Sequence, residues 1–186
     1  MNRSTLDKLI SSTGLIIAVA SLAASATLFY AHNFVHTQVV SQLSEQKITF
    51  PQAGSAGLTA LPSADQTAVG KYAGQQVLTG AQAEVFADHY INVHIQKIGA
   101  GKTYAELSAA AQKDPTNAAL NGQVQIIFRG ETLRGLLLNA YAFDTMATVA
   151  NYAAYGTLVA GAVLFVLAIL GFSHAGRAQK SVSRKR

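Results

Sequence analysis

The sequence predicts a mainly α-helical membrane protein, in which two transmembrane helices flank a small, mostly helical extracytoplasmic domain with two short strands. Half of the 186 residues are hydrophobic and 12% are charged, against about 25% in ordinary soluble domains. Two uncharged stretches are each long enough to cross a hydrocarbon core of about 30 Å. The chain contains no cysteine, which excludes disulfides and thiolate-bound metal.

The first predicted span covers residues 9–31, which are 23 uncharged residues after a short basic segment, residues 1–8. As a helix this stretch would measure about 34 Å. A cleaved signal peptide ending near residue 26 has a similar pattern, because Ala24-Ser25-Ala26 resembles a cleavage site. We favour the span, since the hydrophobic stretch continues to Ala31. A mature N-terminus at Thr27 would contradict it.

The second predicted span lies within 29 uncharged residues, Thr145–Ser173. A helix of that length would measure about 44 Å, which exceeds the bilayer core. Aromatic and amide side chains near its start, including Tyr152, favour the headgroup region. We therefore expect residues 145–153 at the outer headgroups and residues 154–173 in lipid, so that the last helix of the external domain continues into the membrane.

The positive charge is concentrated in the C-terminal tail. Residues 1–8 carry +1, residues 175–186 carry +5, and the rest of the chain sums to −1. The positive-inside rule then predicts both termini in the cytoplasm, with residues 174–186 as a basic cytoplasmic tail and residues 32–153 outside the plasma membrane. A topological signal explains this distribution better than nucleic-acid binding does.

Three helix starts are predicted in the central region. Thr79 with Gln82, and Thr103 with Glu106, have the spacing of a capping box, in which each residue's side chain accepts from the other's backbone N–H. Asp114 before Pro115 predicts a third start. The predicted helices cover residues 81–98, 103–113 and 115–153, the last with interruptions at Gly122, Gly130 and Gly135. The two β-like runs are Lys47–Phe50 and Gln75–Thr79.

Gly99-Ala100-Gly101-Lys102-Thr103 resembles the end of a phosphate-binding loop. That motif needs a further glycine at the position of Gln96 and a strand, rather than a helix, before it. We interpret the segment as a glycine-containing helix end followed by the cap of the next helix.

The histidines are candidates for a non-haem iron site, which needs two histidines and a carboxylate. His89 and His94 point about 140° apart at roughly 100° per residue. We expect His89 to be hydrogen-bonded or solvated and His94 to lie in the core. His32 and His36 share a helix face and are the only metal candidates, yet their helix offers no carboxylate before Glu45. We therefore expect anchoring at the membrane interface, with no cofactor and no metal.

Small residues in the spans predict helix packing. Gly14 and Ala18, and likewise Gly156 and Ala160, have the small-xxx-small spacing that lets helix backbones approach closely in lipid. The two faces could pack on each other or on a partner subunit. Glu131 and Arg134 have the i, i+3 spacing of a weak surface ion pair, worth at most about 0.5 kcal/mol.

Residues 81–143 contain the segment Gly101-Lys102-Thr103-Tyr104-Ala105-Glu106-Leu107, followed by Asp114-Pro115-Thr116. This block resembles a family of small actinobacterial two-span membrane proteins, many of which carry the label "aromatic ring-opening dioxygenase LigA". The resemblance implies an N-terminal span, a compact external region and a C-terminal span. The label implies an iron site and a soluble enzyme fold, which these residues do not supply, so we interpret the label as a misannotation. Residues 53–68 are additional to the common layout.

The sequence contains no constellation of catalytic quality. We therefore predict a non-enzymatic integral membrane protein that serves as an accessory or structural subunit of a larger membrane complex. Its partners would be the lipid bilayer and a membrane protein or a second copy. One alternative is an iron-dependent aromatic ring-opening dioxygenase, and another is an extracytoplasmic ligand-binding sensor.

Overall fold

The computed structural model describes the backbone of residues 3–183 and the side chains of residues 4–177. The predicted N-terminal segment 1–8 and basic tail 174–186 therefore lie partly outside the described residues. The helices are α1 (Arg3–Gln46), α2 (Ala56–Thr59), α3 (Ser63–Gly70), α4 (Gly80–Val85), a π-helical segment (Phe86–Ile91), α5 (Asn92–Gly99), α6 (Tyr104–Lys113) and α7 (Ala118–Ser183). The prediction of a mainly helical protein is confirmed.

The predicted strands are wrong. Residues 47–50 and 75–79 contribute one isolated antiparallel bridge between Thr49 and Gln76, and the described residues form no strand. Two backbone bonds accompany the bridge, from Phe50 N to Gln75 O and from Val77 N to Ile48 O, both 2.9 Å long. The pairing does not extend, because Gln75 N, which would donate to Phe50 O in a longer antiparallel ladder, donates to Tyr72 O instead.

α1 and α7 are long and apolar enough to cross a membrane, which confirms the prediction of two such helices by length and composition. The predicted spans 9–31 and 154–173 lie within them. Only 11% of the most apolar window of α1 and 17% of that of α7 is buried within the protein. The central helix of a soluble domain would be mostly buried. A signal sequence also has the composition of the first helix.

The described residues form two compact units. The helical pair comprises the described parts of residues 1–34 and 147–186, and the central unit comprises residues 35–146. The central unit has its own apolar core, built from buried side chains of several helices. Its largest fully buried side chains are Phe50, Ile127, Leu137, Val69 and Val77. Phe50 contacts both Tyr72 and Phe86, with ring centroids 5.3 Å and 5.2 Å apart.

Both predicted capping boxes are present, at Thr79 with Gln82 and at Thr103 with Glu106. The third predicted cap is wrong, because Asp114 ends α6 and α7 begins three residues after Pro115, at Ala118. Asn117 caps α7, since its Oδ1 accepts from Leu120 N at 3.0 Å. Asp114 instead accepts hydrogen bonds from Thr116 and Asn117 within the turn.

The predicted interruptions of the last helix are also wrong, because α7 continues through Gly122, Gly130 and Gly135. A glycine in a helix costs about 1 kcal/mol relative to alanine, and packing can offset that cost. At Gly130 the missing side chain makes room for Ile95 of α5, whose Cγ1 would lie 2.8 Å from an added Cβ. Nothing lies within 4 Å of the corresponding positions at Gly122 and Gly135.

Replacing Ala100 with glycine is expected to stabilise the central unit. Ala100 ends α5 in the left-handed conformation, with φ of 50°, where a Cβ costs roughly 1–2 kcal/mol. Ala100→Gly should raise the free energy of unfolding by about 1 kcal/mol, measured by thermal unfolding in detergent. Ala109→Gly, inside α6, is the control and should lower stability by a similar amount. A lower melting temperature for Ala100→Gly would contradict the assignment.

Candidate functional site

Small residues form the contact between α1 and α7 within the helical pair. In the part of α1 that belongs to the helical pair, the buried residues are Ser11, Ala18 and Ser25, spaced by seven. In the corresponding part of α7 the buried positions also recur every seven residues, at Ala147, Ala154, Gly161, Ala168 and Ala175. We call these two rows the small-residue seam. A seven-residue repeat keeps one face of each helix on its partner, and small side chains allow close approach.

The seam has an antiparallel register that individual contacts define. Ser4 Oγ donates to Ala175 O at 3.3 Å, and Ser25 Oγ donates to Ala154 O at 2.8 Å. His32 Nδ1 donates to Ala147 O at 2.9 Å. From one contact to the next, the residue number on α1 increases by 21 and then by 7, and the residue number on α7 decreases by the same amounts. The two helices therefore run antiparallel with one constant register. These polar side chains satisfy their hydrogen bonds inside the pair, which lowers the cost of placing them in lipid.

The predicted packing residues divide between two surfaces. Gly14 and Ala18 face the seam: an added Cβ at Gly14 would lie 4.0 Å from Ala168 Cβ, and Ala18 is fully buried. Gly156 and Ala160 are exposed, and nothing lies within 4 Å of an added Cβ at Gly156. On the face of α7 that contacts α1, the small residue is Gly161 instead. An added Cβ at Gly161 would lie 3.2 Å from the backbone oxygen of Ala18.

A groove of about 260 Å³ lies between α1 and α7 near Asp7 and His174. Its walls include Ile10, Leu164 and Leu167. His174 Nδ1 lies 3.3 Å from the buried Asp7 Oδ2, but the two atoms are not aligned for a hydrogen bond. The groove thus combines apolar walls with one carboxylate at its end.

Asp144 is the centre of a polar cluster in the central unit. Its Oδ1 accepts from His36 Nδ1 at 2.8 Å, and its Oδ2 accepts from Gly80 N, the first residue of α4, at 2.9 Å. One carboxylate therefore joins α1, α4 and α7 while stabilising the positive end of α4. The sequence did not predict this partner for His36, because Asp144 is 108 residues away.

The π-helical segment Phe86–Ile91 interrupts the predicted regular helix and determines where its polar side chains point. Asp88 Oδ1 accepts from Arg134 of α7 at both Nε (3.1 Å) and Nη2 (2.8 Å). Glu131, the partner predicted for Arg134, is farther, at 3.7 Å. π-helical turns occur frequently at functional sites.

His89 in the π-helical segment and His94 in α5 bond to different partners. His89 Nδ1 donates to Asp65 Oδ1 at 2.7 Å, so the prediction of a hydrogen-bonded His89 is confirmed. His94 is exposed, and the prediction of a core histidine is wrong. Its Nδ1 donates to Tyr90 O at 2.7 Å and its ring lies 4.5 Å from the Tyr90 ring. A π turn has more residues than an α turn, so the face expected from 100° per residue shifts.

The residues of the resemblance have structural roles in the central unit. Gly101 has φ of 77°, and Thr103 and Glu106 form the cap of α6. Tyr104 is exposed and its ring lies 5.7 Å from that of Phe128 on α7. The segment from Gly99 to Thr103 is thus the end of one helix and the cap of the next, as interpreted from the sequence. Lys102 is exposed, and Asp114 and Pro115 form the turn before α7.

Glu106 gives the α6 cap a pH dependence. The backbone N–H of Thr103, and then its hydroxyl, hold the pKa of Glu106 below its ordinary value of 4.5, with a smaller contribution from Lys102. Because the pKa is lowered on folding, its stabilisation is complete above the unfolded-state pKa and is lost as the pH falls through the folded-state pKa. We expect Glu106→Gln to be less stable than the unchanged protein at pH about 7 and equally stable well below the ordinary glutamate pKa. Thermal unfolding at both pH values checks this, and a stability difference that stays constant would contradict it.

The described residues contain no group of three or more His, Asp or Glu side chains placed to hold a metal ion. The metal candidates His32 and His36 are each engaged with another residue of α7, through Ala147 O and Asp144 Oδ1. Three pairs of polar side chains each connect two helices: Asp144–His36, Asp65–His89 and Asp88–Arg134. Each can orient a helix, and none belongs to a described group of three possible metal ligands.

Comparison of this chain with protein-family models, curated proteins and solved structures finds no match. The resemblance to the actinobacterial two-span proteins therefore stays a prediction.

Proposed function

We propose that this chain is a non-enzymatic integral membrane protein that crosses the plasma membrane twice and serves as an accessory or structural subunit of a larger membrane complex. Both termini lie in the cytoplasm and residues 32–153 lie outside. The resemblance to the two-span actinobacterial family supports the same layout.

The observation that carries the proposal is the exposed apolar surface of the helical pair. The seam uses one narrow face of small residues, and the large side chains point away from it. Ile16 is 70% exposed, Val159 62% and Leu170 59%. In water such a surface would be unfavourable by about 25 cal/mol per Å², whereas in lipid it needs no further cover. The polar side chains of the seam bond internally, as a membrane-embedded pair requires.

The accessory role is supported by what the polar clusters do. His36, His89 and Arg134 each pair with an aspartate that joins two helices. An iron-dependent oxygenase would need two histidines and a carboxylate around one ion, and no such cluster lies among the described residues. The exposed small residues Gly156 and Ala160 leave a face of α7 open to a neighbouring span.

The absence of cysteine makes the topology directly testable. Gln112→Cys places one thiol at an exposed position of α6, and Ser181→Cys places one in the basic segment. A membrane-impermeant maleimide applied to intact cells should label Gln112→Cys at once and Ser181→Cys only after permeabilisation. The reverse pattern, or a soluble protein after alkaline extraction of membranes, would overturn the proposed topology.

The accessory role is tested by chemical cross-linking in native membranes, followed by purification in mild detergent and mass measurement. We expect a defined complex larger than one chain. A monodisperse monomer without a cross-linked partner would contradict the role. Metal analysis and a catechol-cleavage assay of the same preparation test the oxygenase alternative, and stoichiometric iron with turnover would replace our proposal.

A further inference from the structure

The outer side of α7 carries an apolar stripe in the central unit that the core does not use. Phe128, Leu136, Phe143 and Met146 are 51%, 58%, 56% and 65% exposed. At about 100° per residue they lie within roughly 80° of the helix circumference. The core-facing residues Ile127 and Leu137 are fully buried on another side of the same helix. We call Phe128, Leu136, Phe143, Met146 and the residues between them on this face the outer stripe.

The spacing of the outer stripe is that of a helix-pairing seam. Thr132, Gly135 and Asn139 fill the positions between its large side chains, so the face advances in steps of three and four residues. Such steps place one face of a helix along a parallel partner over several turns. From Phe128 to Met146 the stripe measures about 27 Å. Gly135 has open space around it and lets a second backbone approach.

Asn139 indicates what the partner is. It is exposed at the middle of the stripe, where a lipid or a purely apolar surface would leave its amide without hydrogen bonds. An amide is both donor and acceptor, so across a two-fold axis one Asn139 can bond to the same residue of a second copy. A single Asn in an otherwise apolar seam is known to select two strands in register.

The charges beside the stripe agree with a parallel pair. Arg129 borders one side of the stripe and Glu131 borders the other. In a parallel two-fold pair each side of one helix faces the opposite side of its partner, so the Arg129 side of one copy meets the Glu131 side of the other. Opposite charges then face each other at the edges of the pair, which favours the parallel orientation.

We infer that two copies of this chain pair in parallel through the outer stripe, with Asn139 at the two-fold axis. The inference rests on the proposed function in one respect, because two copies with the same topology in one bilayer can pair only in parallel. The partner of the proposed accessory subunit is then a second copy of the same chain.

Single-cysteine cross-linking in native membranes tests the inference, because the unchanged chain has no cysteine. No intramolecular disulfide can therefore form in a single-cysteine variant, and a disulfide between two copies gives a species of twice the chain mass. Asn139→Cys under mild oxidation is expected to give a disulfide-linked dimer. Thr145→Cys is the matched control, because it is also exposed on α7 but lies roughly 120° around the helix. Equal dimer from both variants, or none from Asn139→Cys, would overturn the inference.

A second measurement does not depend on a disulfide. Phe143→Glu places two carboxylates against each other in the pair and should reduce the mass in detergent from two chains to one, by light scattering. An unchanged dimeric mass would also overturn the inference. The maleimide labelling of Gln112→Cys and Ser181→Cys remains a separate readout. If the labelling gave the expected topology but Asn139→Cys gave no dimer, the proposed function would stand and only the inferred pairing would be wrong.

Discussion

Gly80→Ala is expected to destabilise the central unit by about 2 kcal/mol, because an added methyl group has no room there. Its Cβ would lie 2.5 Å from Asp144 Cβ and 3.0 Å from the backbone Cα of Tyr141. α4 would have to move away from α7, which would also stretch the bond from Gly80 N to Asp144 Oδ2. The midpoint of thermal unfolding in detergent, followed by near-ultraviolet circular dichroism, should fall by about 10 °C.

Gly122→Ala is the matched control for this substitution. Gly122 also lies in a helix, but nothing is within 4 Å of an added Cβ. Alanine should therefore raise stability there by about 0.5–1 kcal/mol. If both variants changed the midpoint in the same direction and by the same amount, the close contact of α4 with α7 at Gly80 would be wrong.

Gly161→Leu is expected to have the largest effect on the helical pair. An added Cβ alone would lie 3.0 Å from Leu22 Cγ and 3.2 Å from the Ala18 backbone oxygen. A leucine would force the two helices apart, at a cost of about 1–3 kcal/mol. Far-ultraviolet circular dichroism during heating in detergent should show a lower and broader final transition.

Gly156→Leu is the comparison within the same helix, since this position is exposed and has open space. It should leave the transition unchanged or slightly raised, because leucine favours helix more than glycine does. Equal loss of stability from both leucines would mean that α1 does not pack on the face of α7 that contains Gly161.

The coarse architecture could be predicted because its signals are local. Long uncharged runs predict helices that can cross a membrane, and Thr103 with Glu106 predicts a helix start from a spacing of three. Gly130 of the last helix is also a local signal, and its low helix propensity predicts an interruption that the structure does not show. The sequence cannot show that Ile95 occupies the space beside it.

The packing face of α7 was missed although a signal for it exists. Gly156 and Ala160 have a spacing of four, which predicts a packing face. The buried residues Ala147, Ala154, Gly161, Ala168 and Ala175 instead repeat every seven residues. In an alanine-rich span both patterns are present, and only the repeat over four heptads distinguishes the inner face.

The contacts of Asp144 and the π-helical segment could not be predicted. Asp144 pairs with His36 through a separation of 108 residues, and no local rule connects such positions. The extra residue in the π turn shifted His94 from the expected apolar face to the surface. A regular helical wheel has no means of anticipating that shift.

We propose that α1, which packs antiparallel on α7, is a retained membrane span. A double variant, Gly14→Cys with Ala168→Cys, tests it most directly, because the two Cβ positions are 4.0 Å apart, within the usual range for a disulfide of about 3.5–4.5 Å. Gly14→Cys with Val166→Cys is the control, since Val166 is 55% exposed and points away from α1. In native membranes we expect an intramolecular disulfide in the first variant and none in the second. No disulfide in the first variant, together with a mature chain that begins after residue 26, would contradict it.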